Sequence, residues 1–134
     1  MQIRFAEPRD MLALMQHDRH IAPEALEQKI ALKEVLVLYD GNMFAGWLRW
    51  NYFWDEHPFM NLLYVLDEYR GKGHGAALVS KWERLMKENG HDTVMTSTQA
   101  NECAQFFYRH LGYEDIGAFA LPGDPLELIL SKVL

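Results

Sequence analysis

One short segment restricts the possible folds of this chain more than any other. The stretch YRGKGHGAAL, residues 69–78, places three glycines at alternate positions between an apolar run at 59–66 and a segment with helical spacing of its apolar residues. Glycine is favoured where the backbone turns sharply or approaches a ligand closely. The segment therefore predicts a β-strand, a glycine loop and a helix in direct succession, with an anion bound at the loop.

Backbone chemistry explains why this loop is expected to bind an anion. A loop that leads into a helix collects free N–H groups and the positive end of the helix dipole in one place. The dipole contributes roughly 0.3–1 kcal/mol, whereas each hydrogen bond to a charged group contributes roughly 1.5–3 kcal/mol. The N–H groups should therefore dominate, while Arg70 and Lys72 add positive charge at the rim. The alternative is a tight turn with solvated basic residues.

The rest of the sequence supplies an ordered set of strands and helices. Strands are predicted at 3–5, 34–39, 43–54, 59–66 and 92–98, with two closing strands around the turn PGDP at 122–125. Helices are predicted at 9–17, from Pro23 to Leu32, from Ala76 to Asn89-Gly90, and from an N-cap at Asn101 to His110. The order, β-α-α-β-β-β-α-β-α-β-β, indicates a mixed α/β sheet with helices on its faces. The run at 59–66 is expected in its centre, covered on both faces.

Composition narrows the class of protein. The length fits a single domain over residues 1–134, and a net charge of −6 argues against nucleic acid as the main partner. No apolar run is long enough to span a membrane. The N-terminus lacks an apolar signal core, and the single cysteine, Cys103, fits a reducing compartment, so we expect a cytoplasmic protein. His17 and His20 could face one another, but no third ligand is near, so no metal is expected.

Three classes of phosphate-binding loop compete for the glycine segment. A P-loop requires G-x-x-x-x-G-K-[ST], which the sequence lacks. The dinucleotide pattern G-x-G-x-x-G/A is met by Gly71, Gly73 and Ala76, but the next strand ends in Thr96-Ser97-Thr98, where that fold needs an acid. A nicotinamide-dependent reductase is therefore a disfavoured alternative.

The third class is an acyl-CoA loop, and two motifs support it. The stretch from Val65 to Ala76, VLDEYRGKGHGA, resembles the pyrophosphate loop of the GCN5-related N-acetyltransferases (GNAT), with the core [RQ]-x-x-G-x-[GA] as Arg70-x-x-Gly73-x-Gly75. The stretch from Asn101 to Tyr113 is similar to the same family's N-x-x-A-x-x-x-Y-x-x-x-G-[FY] helix. The predicted order of elements is also the family's, so the resemblance covers the whole chain. Asp67 departs from the pattern, since many members have proline there.

The resemblance implies a fold, a reaction and a set of binding residues. The fold would be a central mixed, mostly antiparallel sheet of six or seven strands flanked by about four helices. In the reaction, a neutral primary amine would attack the thioester of acetyl-CoA directly, without an acyl-enzyme and without a metal. The residues implied to bind acetyl-CoA are Leu63 and Val65 through their backbone, Arg70, Gly71, Lys72, Gly73, His74, Gly75 and Ala76 around the pyrophosphate, and Asn101 and Phe107 along the pantetheine.

The family pattern also makes Tyr108 the candidate general acid. The departing thiolate needs a proton, and a phenol with a pKa near about 10 can give one to a thiol with a pKa near about 8.5 as charge develops. The alternative is a core tyrosine with a satisfied hydroxyl, as in a protein that keeps the loop but only senses acyl-CoA. The complete pattern from Asn101 to Tyr113 favours the catalytic role.

The base and the acceptor pocket are less constrained. Some family members carry a glutamate at the start of the strand before the loop, but this chain has Phe59-Met60-Asn61 there. Glu56 is the candidate base, beside Asp55 and His57; the alternative is a water ordered by Asn61, Ser97 or Thr98. Strand alternation places Trp50, Tyr52 and Trp54 on one face and Trp47 and Phe53 on the other. Most should be core, with Trp50, Trp54 and Asn61 as candidates to contact the acceptor.

Some properties stay open on the sequence alone. The acceptor could be a small-molecule amine or a peptide amine. A homodimer through the closing strands, which is common in the family, is an option. Cys103 carries no sign of an activated thiol and is expected to pack against its neighbours.

Overall fold

The structure is a computed structural model that describes every residue from Met1 to Leu134. Two short 3₁₀ turns, Pro8–Asp10 and Asp67–Tyr69, precede the first and third helices. The order of elements confirms the predicted one. The elements are β1 (Gln2–Phe5), α1 (Met11–His17), α2 (Pro23–Ala31), β2 (Val35–Asp40), β3 (Met43–Phe53), β4 (His57–Val65), α3 (His74–Glu88), β5 (Thr93–Gln99), α4 (Ala104–His110), β6 (Glu114–Phe119) and β7 (Glu127–Val133).

The seven strands form one sheet in the order β1-β2-β3-β4-β5-β7-β6. Strand β7 enters between β5 and β6 and is antiparallel to both, with Thr93↔Val133 and Gln99↔Glu127 at the ends of its ladder with β5. Strands β4 and β5 are parallel, and their ladder covers the pairs Phe59↔Met95 and Met60↔Thr96. A crossover through the glycine loop and α3 joins these two strands, as a parallel pair requires. The predicted mixed, mostly antiparallel sheet with four helices is confirmed.

By packing, the chain divides into two compact units. The first unit comprises Met1–Trp50 and Leu62–Trp82, and the second comprises Asn51–Asn61 and Glu83–Leu134. In the first unit, strands β2 and β3 carry consecutive buried residues, because helices cover both of their faces. One face packs with α1 and α2 in a cluster of buried side chains: Ala6, Leu14, Leu26, Ile30, Val35, Val37 and Trp47.

Strand β4 differs from its predicted form. It begins at His57, before the predicted start at residue 59, so Pro58 lies inside the strand and is buried. The prediction that both faces are covered is wrong, because Asn61 and Tyr64 are exposed. The buried residues Pro58 and Met60 are at even positions, whereas the next buried residue, Val65, is at an odd position. The buried side of the strand therefore changes along its length. An apolar composition alone does not reveal which residues of the strand are exposed.

The start of α4 also corrects the prediction. Asn101 is not the N-cap: the helix begins at Ala104, with Cys103 at the N-cap position and no side-chain cap. A turn comes first, closed by the Glu102 N–H, which donates to Gln99 O, and by Gln105 Nε2, which donates to the Glu102 carbonyl. These two bonds close the turn before the helix and do not involve the N–H groups of its first turn, which have no side-chain cap. Cys103 is exposed, so the expectation that it packs is wrong.

Candidate active site

The glycine loop has the backbone conformation that its sequence predicts. Gly71 and Gly73 have φ angles of +76° and +84°, in the left-handed region that disfavours other residues. A Cβ atom built on either glycine would meet no atom within 4 Å. The conformation, and not a lack of space, is therefore what requires glycine here. The open space leaves room for a bound group above the loop backbone.

Helix α3 begins directly after this loop. It runs for 15 residues from His74, and the Ala77 N–H donates to Gly73 O at 3.0 Å, as the first bond of the helix. The N–H groups of His74, Gly75 and Ala76 precede that bond and point out of the helix end. Together with the positive end of the dipole, they form a site suited to a phosphate group. His74 and Gly75 thus belong to the first turn of the helix and not to the loop.

Arg70 lies at the entrance to the loop, and its side chain turns back onto β4. Its Nε donates to Val65 O at 2.7 Å, and its Nη1 lies 3.1 Å from an Asp67 carboxylate oxygen. The guanidinium carbon stands 4.8 Å from the centre of the Tyr64 ring. The Val65 carbonyl therefore already accepts one hydrogen bond from within the protein. No sequence pattern predicted these contacts.

A cavity of about 480 Å³ lies in the first unit beside the end of β4. Strand residues Trp47, Leu62 and Tyr64 line it, and the turn residues Asp67 and Glu68 lie at one end. The end of α1 and the segment that follows it also line the cavity, through Gln16, His17, Arg19 and His20. The volume lies within the roughly 300–1,000 Å³ typical of small-molecule pockets.

A buried ion pair holds the segment beside this cavity in place. The Asp18 carboxylate accepts hydrogen bonds from Arg49 Nε at 2.7 Å and from Trp47 Nε1 at 3.0 Å, and its other oxygen accepts from the His20 N–H at 3.1 Å. Burial acts to raise the pKa of Asp18, but Arg49 and the other donors hold that pKa below its usual range. The carboxylate is therefore charged and fully paired.

Tyr108 lies in the second unit, on α4. Its side chain is buried, and its ring packs edge-to-face with Phe107 and Tyr113. Burial raises the pKa of Tyr108 to about 12, and a hydrogen-bonding interaction with Thr96 opposes part of that rise. The Thr96 hydroxyl itself donates to Met60 O at 3.0 Å. Tyr108 is thus a neutral phenol at any pH near neutrality.

A second buried tyrosine anchors the end of the same motif. The Tyr113 hydroxyl donates to a Glu83 carboxylate oxygen at 2.8 Å, and Lys132 Nζ donates to the other oxygen at 3.0 Å. Burial and the adjacent Glu83 charge raise the pKa of Tyr113. Gly112, with φ +99°, turns the chain from α4 towards this contact. The sequence motif identified both tyrosines, but not the partners Glu83 and Lys132.

Comparison with known proteins assigns these features to a family. The family model described as the acetyltransferase (GNAT) family matches residues 5–113, which include the glycine loop, Tyr108 and Tyr113. The chain belongs to the GNAT acetyltransferase family. The predicted family and the predicted class of enzyme, an acetyltransferase, are thereby confirmed. No curated protein matches this GNAT chain.

Solved structures agree with this GNAT protein in fold. Ard1 from Thermoplasma volcanium superposes with a TM-score of 0.85 at 15% identity, over 99% of this chain and 97% of that chain. The ribosomal-protein-S18-alanine N-acetyltransferase from Escherichia coli has a TM-score of 0.81 at 16% identity, over 98% and 92%. The PaiA N-acetyltransferase from Thermoplasma acidophilum, solved in complex with coenzyme A, has a TM-score of 0.75 at 18% identity, over 99% and 98%.

In this GNAT protein the predicted acceptor residues do not form one surface. Trp50 is fully buried in the first unit against Trp82, with ring centroids 6.3 Å apart, so it cannot line an open pocket. Trp54 lies beyond the end of β3, in a turn with φ +56°, and is 75% exposed. Alternation placed these two residues on one face because it assumed that the strand continues through Trp54. Trp50 is therefore corrected to a core residue.

The candidate base lies in the same turn as Trp54. Glu56 is exposed, and its carboxylate lies 3.6 Å from His57 Nε2. Asn61 is also exposed, and its Nδ2 donates to Asn51 Oδ1 at 2.8 Å. Glu56, His57 and Asn61 all belong to the second unit, which also holds Tyr108.

The remaining predicted binding residues fall in both units. Leu63 is half-buried on β4 in the first unit, whereas Asn101 is exposed in the turn before α4 and Phe107 is half-buried on that helix. The structure contains no cluster of three or more histidine, cysteine or acidic side chains placed to hold a metal ion. No helix is both long enough and apolar enough to cross a membrane.

Proposed function

We propose that this chain transfers the acetyl group of acetyl-CoA directly to the primary amine of an acceptor. The observation that carries the proposal is the junction at Gly71–Ala76, where two left-handed glycines lead into the unpaired N–H groups of α3. Such a junction suits the pyrophosphate of a CoA ester because the backbone donors need no side chain and no metal. The whole of residues 1–134 is proposed to act as one acetyltransferase domain.

The binding roles follow from what each residue offers. The N–H groups at 71–76 hold the pyrophosphate, and exposed Lys72 adds a point charge. His74, half-buried in the first turn of α3, also contacts the pyrophosphate. The backbone N–H groups of Leu63 and Val65 face the pantetheine and the acetyl oxygen, where a donor aimed at the developing oxyanion contributes about 10²–10³ in rate. Asn101 and Phe107 contact the pantetheine.

Tyr108 is proposed to supply the proton that the reaction requires at sulfur. A C–N bond forms and the C–S bond breaks, so the nitrogen loses one proton in net and the sulfur gains one. A buried phenol with a pKa of about 12 keeps its proton until negative charge develops on the sulfur. Solvent returns a proton to the phenol after each turnover, while the base takes the proton lost by the nitrogen and releases it to solvent. A structural tyrosine in an acyl-CoA sensor is the competing explanation.

Glu56 is proposed as the base that accepts the proton of the amine. Glu56 and His57 share an exposed turn of the unit that holds Tyr108, and the Glu56 carboxylate lies 3.6 Å from His57 Nε2. The competing route is a water ordered by Asn61, Ser97 or Thr98, with bulk solvent as the final acceptor. Glu56→Gln distinguishes them, because it should lower kcat only if the carboxylate takes the proton.

The acceptor is proposed to be a peptide or small-molecule amine, with Trp54 and Asn61 as its exposed contacts. One of the similar structures is named for acetylating an alanine of a ribosomal protein, so peptides with a free N-terminus are the first acceptors to test. The net charge of −6 favours cationic acceptors as the second group.

A homodimer through the closing strands and a cytoplasmic location are also proposed. Strand β6 lies at the edge of the sheet and every one of its residues is exposed, including Ile116 and Phe119. An exposed apolar edge of this kind favours pairing with a second copy. The exposed free thiol of Cys103 fits a reducing compartment. Sedimentation of the purified protein tests the dimer.

The experiment that tests the function is a calorimetric titration with acetyl-CoA, CoA and NADH, followed by a thiol-release assay across a panel of amines. We expect acetyl-CoA and CoA to bind, NADH not to bind, and Gly73→Asp to abolish binding by placing a carboxylate at the phosphates. Binding without turnover on any amine would favour the sensor. NADH binding in place of CoA would favour the reductase.

A further inference from the structure

We propose that Arg70 is a positioning residue, whose side chain fastens the glycine loop to the end of β4 and does not itself bind phosphate. This inference rests on the proposed function, because it assigns a role within the acetyl-CoA site. It is carried by the contacts of one side chain with three neighbours of the same unit: Tyr64, Val65 and Asp67.

The first contact closes the turn that leads into the loop. Arg70 Nε donates to Val65 O at 2.7 Å, across the 3₁₀ turn Asp67–Tyr69. The Arg70 backbone N–H also donates to Asp67 O, at 3.2 Å. Both the backbone and the side chain of Arg70 are therefore tied to the preceding turn. The next residue is Gly71, in the left-handed conformation, so fixing Arg70 fixes the direction in which the loop N–H groups point.

The second contact offsets the positive charge of Arg70, and the third restrains its side chain. Its Nη1 lies 3.1 Å from the Asp67 carboxylate, so the pair is close to neutral as a unit. The guanidinium carbon stands over the Tyr64 ring, 4.8 Å from its centre, and this contact holds the side chain along the strand. A phosphate approaching Arg70 would also approach the Asp67 carboxylate. Exposed Lys72 is better placed to act as the cation of the loop.

Two substitutions of Arg70 separate the effect of its Nε–H donor from the effect of its positive charge. In arginine and glutamine, the first nitrogen is bonded to Cδ, so glutamine places Nε2 where arginine has Nε and keeps an N–H donor for Val65 O. Lysine has a carbon at that point and carries its charge one atom further out. Arg70→Gln therefore keeps the donor and loses the charge, whereas Arg70→Lys keeps the charge and loses the donor.

The test compares the Kd for acetyl-CoA of the wild type, Arg70→Ala, Arg70→Gln and Arg70→Lys by calorimetry, with Lys72→Gln as the control for a direct phosphate contact. We expect the alanine and lysine variants to bind about tenfold more weakly, and glutamine to restore most of that loss. Lys72→Gln should weaken binding and also flatten its salt dependence, whereas Arg70→Gln should leave the salt dependence as in the wild type. Tight binding by the lysine variant and weak binding by the glutamine variant would overturn the proposal.

A second readout uses the protein without any ligand. Amide hydrogen exchange at residues 66–73 should accelerate in Arg70→Lys and stay near the wild-type rate in Arg70→Gln. Equal exchange in the two variants would overturn the positioning role, and far-UV circular dichroism would check that each variant folds. Should the wild type fail to bind acetyl-CoA, the proposed function would be wrong, while the exchange measurement would still decide what Arg70 does.

Discussion

Asp18 and Arg49 form a buried ion pair that joins the segment after α1 to strand β3. The carboxylate and the guanidinium meet through two hydrogen bonds of 2.7 and 3.3 Å, and both side chains are less than a tenth exposed. Removing one partner of such a pair leaves an uncompensated charge, at a cost of about 3–5 kcal/mol. The pair thus ties the segment from His17 to His20 to the core of the protein, so its position does not depend only on contacts within the segment.

Asp18→Ala should therefore reduce the free energy of unfolding by about 3–5 kcal/mol, as measured by urea denaturation. The matched control is Glu7→Ala, which removes an exposed partner of Arg9 and should change the free energy by less than about 1 kcal/mol. Similar effects for the two variants would show that the buried pair is not a specific anchor.

The same carboxylate gives a prediction for pH. Asp18, with Arg49, and Asp10, with Arg4 and Tyr39, both have a pKa held below the usual range despite burial. A carboxylate with a depressed folded-state pKa stabilises the protein above its unfolded pKa of about 3.9, and this contribution is lost as the pH falls through the folded-state pKa. The free energy of unfolding should thus fall steeply below about pH 4. Asp18→Asn should make that fall shallower, and an unchanged slope would contradict the assignment.

Tyr108→Phe should lower kcat by about 10²–10⁴ and leave the Kd for acetyl-CoA nearly unchanged, because it removes a proton donor and little of the ring packing. Since the phenol pKa is about 12, Tyr108 should cause no loss of activity between pH 7 and about 10 in the wild type. Thiol release over this pH range measures both effects. A phenylalanine variant with wild-type kcat would assign Tyr108 a structural role.

Tyr113→Phe should reduce the free energy of unfolding by about 1.5–3 kcal/mol, since it breaks a hydrogen bond to the charged Glu83 carboxylate. Tyr52→Phe is the matched control, because the Tyr52 hydroxyl meets only the Met86 sulfur, at 3.9 Å. Thermal or urea unfolding of the two variants would separate them. A larger loss in the Tyr52 variant would contradict this account of the motif's end.

Gly73→Ala should destabilise the protein by about 1–2 kcal/mol, because a Cβ is disfavoured at φ +84° even where space is available. Gly117→Ala is the control: it has equally open space but no left-handed φ, and should be close to neutral. The Kd for acetyl-CoA should rise in the first variant only. Equal stability of the two variants would mean that the loop can relax without cost.

Features of this molecule that depend on residues close together in the chain were predicted from the sequence, whereas features that depend on distant residues were not. The end of α3 at the Asn89-Gly90 turn and the closing strands around PGDP were predicted correctly, since turn and cap signals act over a few residues. The pair Asp18–Arg49 joins residues 31 positions apart, and no local pattern marks it. Trp50 and Trp54 are an intermediate case. Alternation assigns side chains to the two faces of a strand only where the end of the strand is known, and β3 ends before Trp54.

The active-site prediction divides in the same way. The conformation of the glycine loop and the position of Tyr108 on α4 were predicted because their motifs are contiguous on one loop and one helix. Their roles in the reaction stay predictions. The fold-back of Arg70 onto Val65 O was not found, although the two residues are five apart, because the direction of a long side chain is decided by packing against Tyr64. A base and an acceptor pocket depend on contacts between distant elements, which the pattern does not encode.

The exposed thiol of Cys103 provides a labelling site for measuring the binding of ligands and partners. Because the chain contains no other cysteine, a maleimide dye would attach at one defined position, two residues after Asn101 and directly before α4. No engineered labelling site is required. A change of fluorescence on addition of acetyl-CoA would follow ligand binding in real time, and the spectrum of the dye would reveal a partner that covers the start of α4.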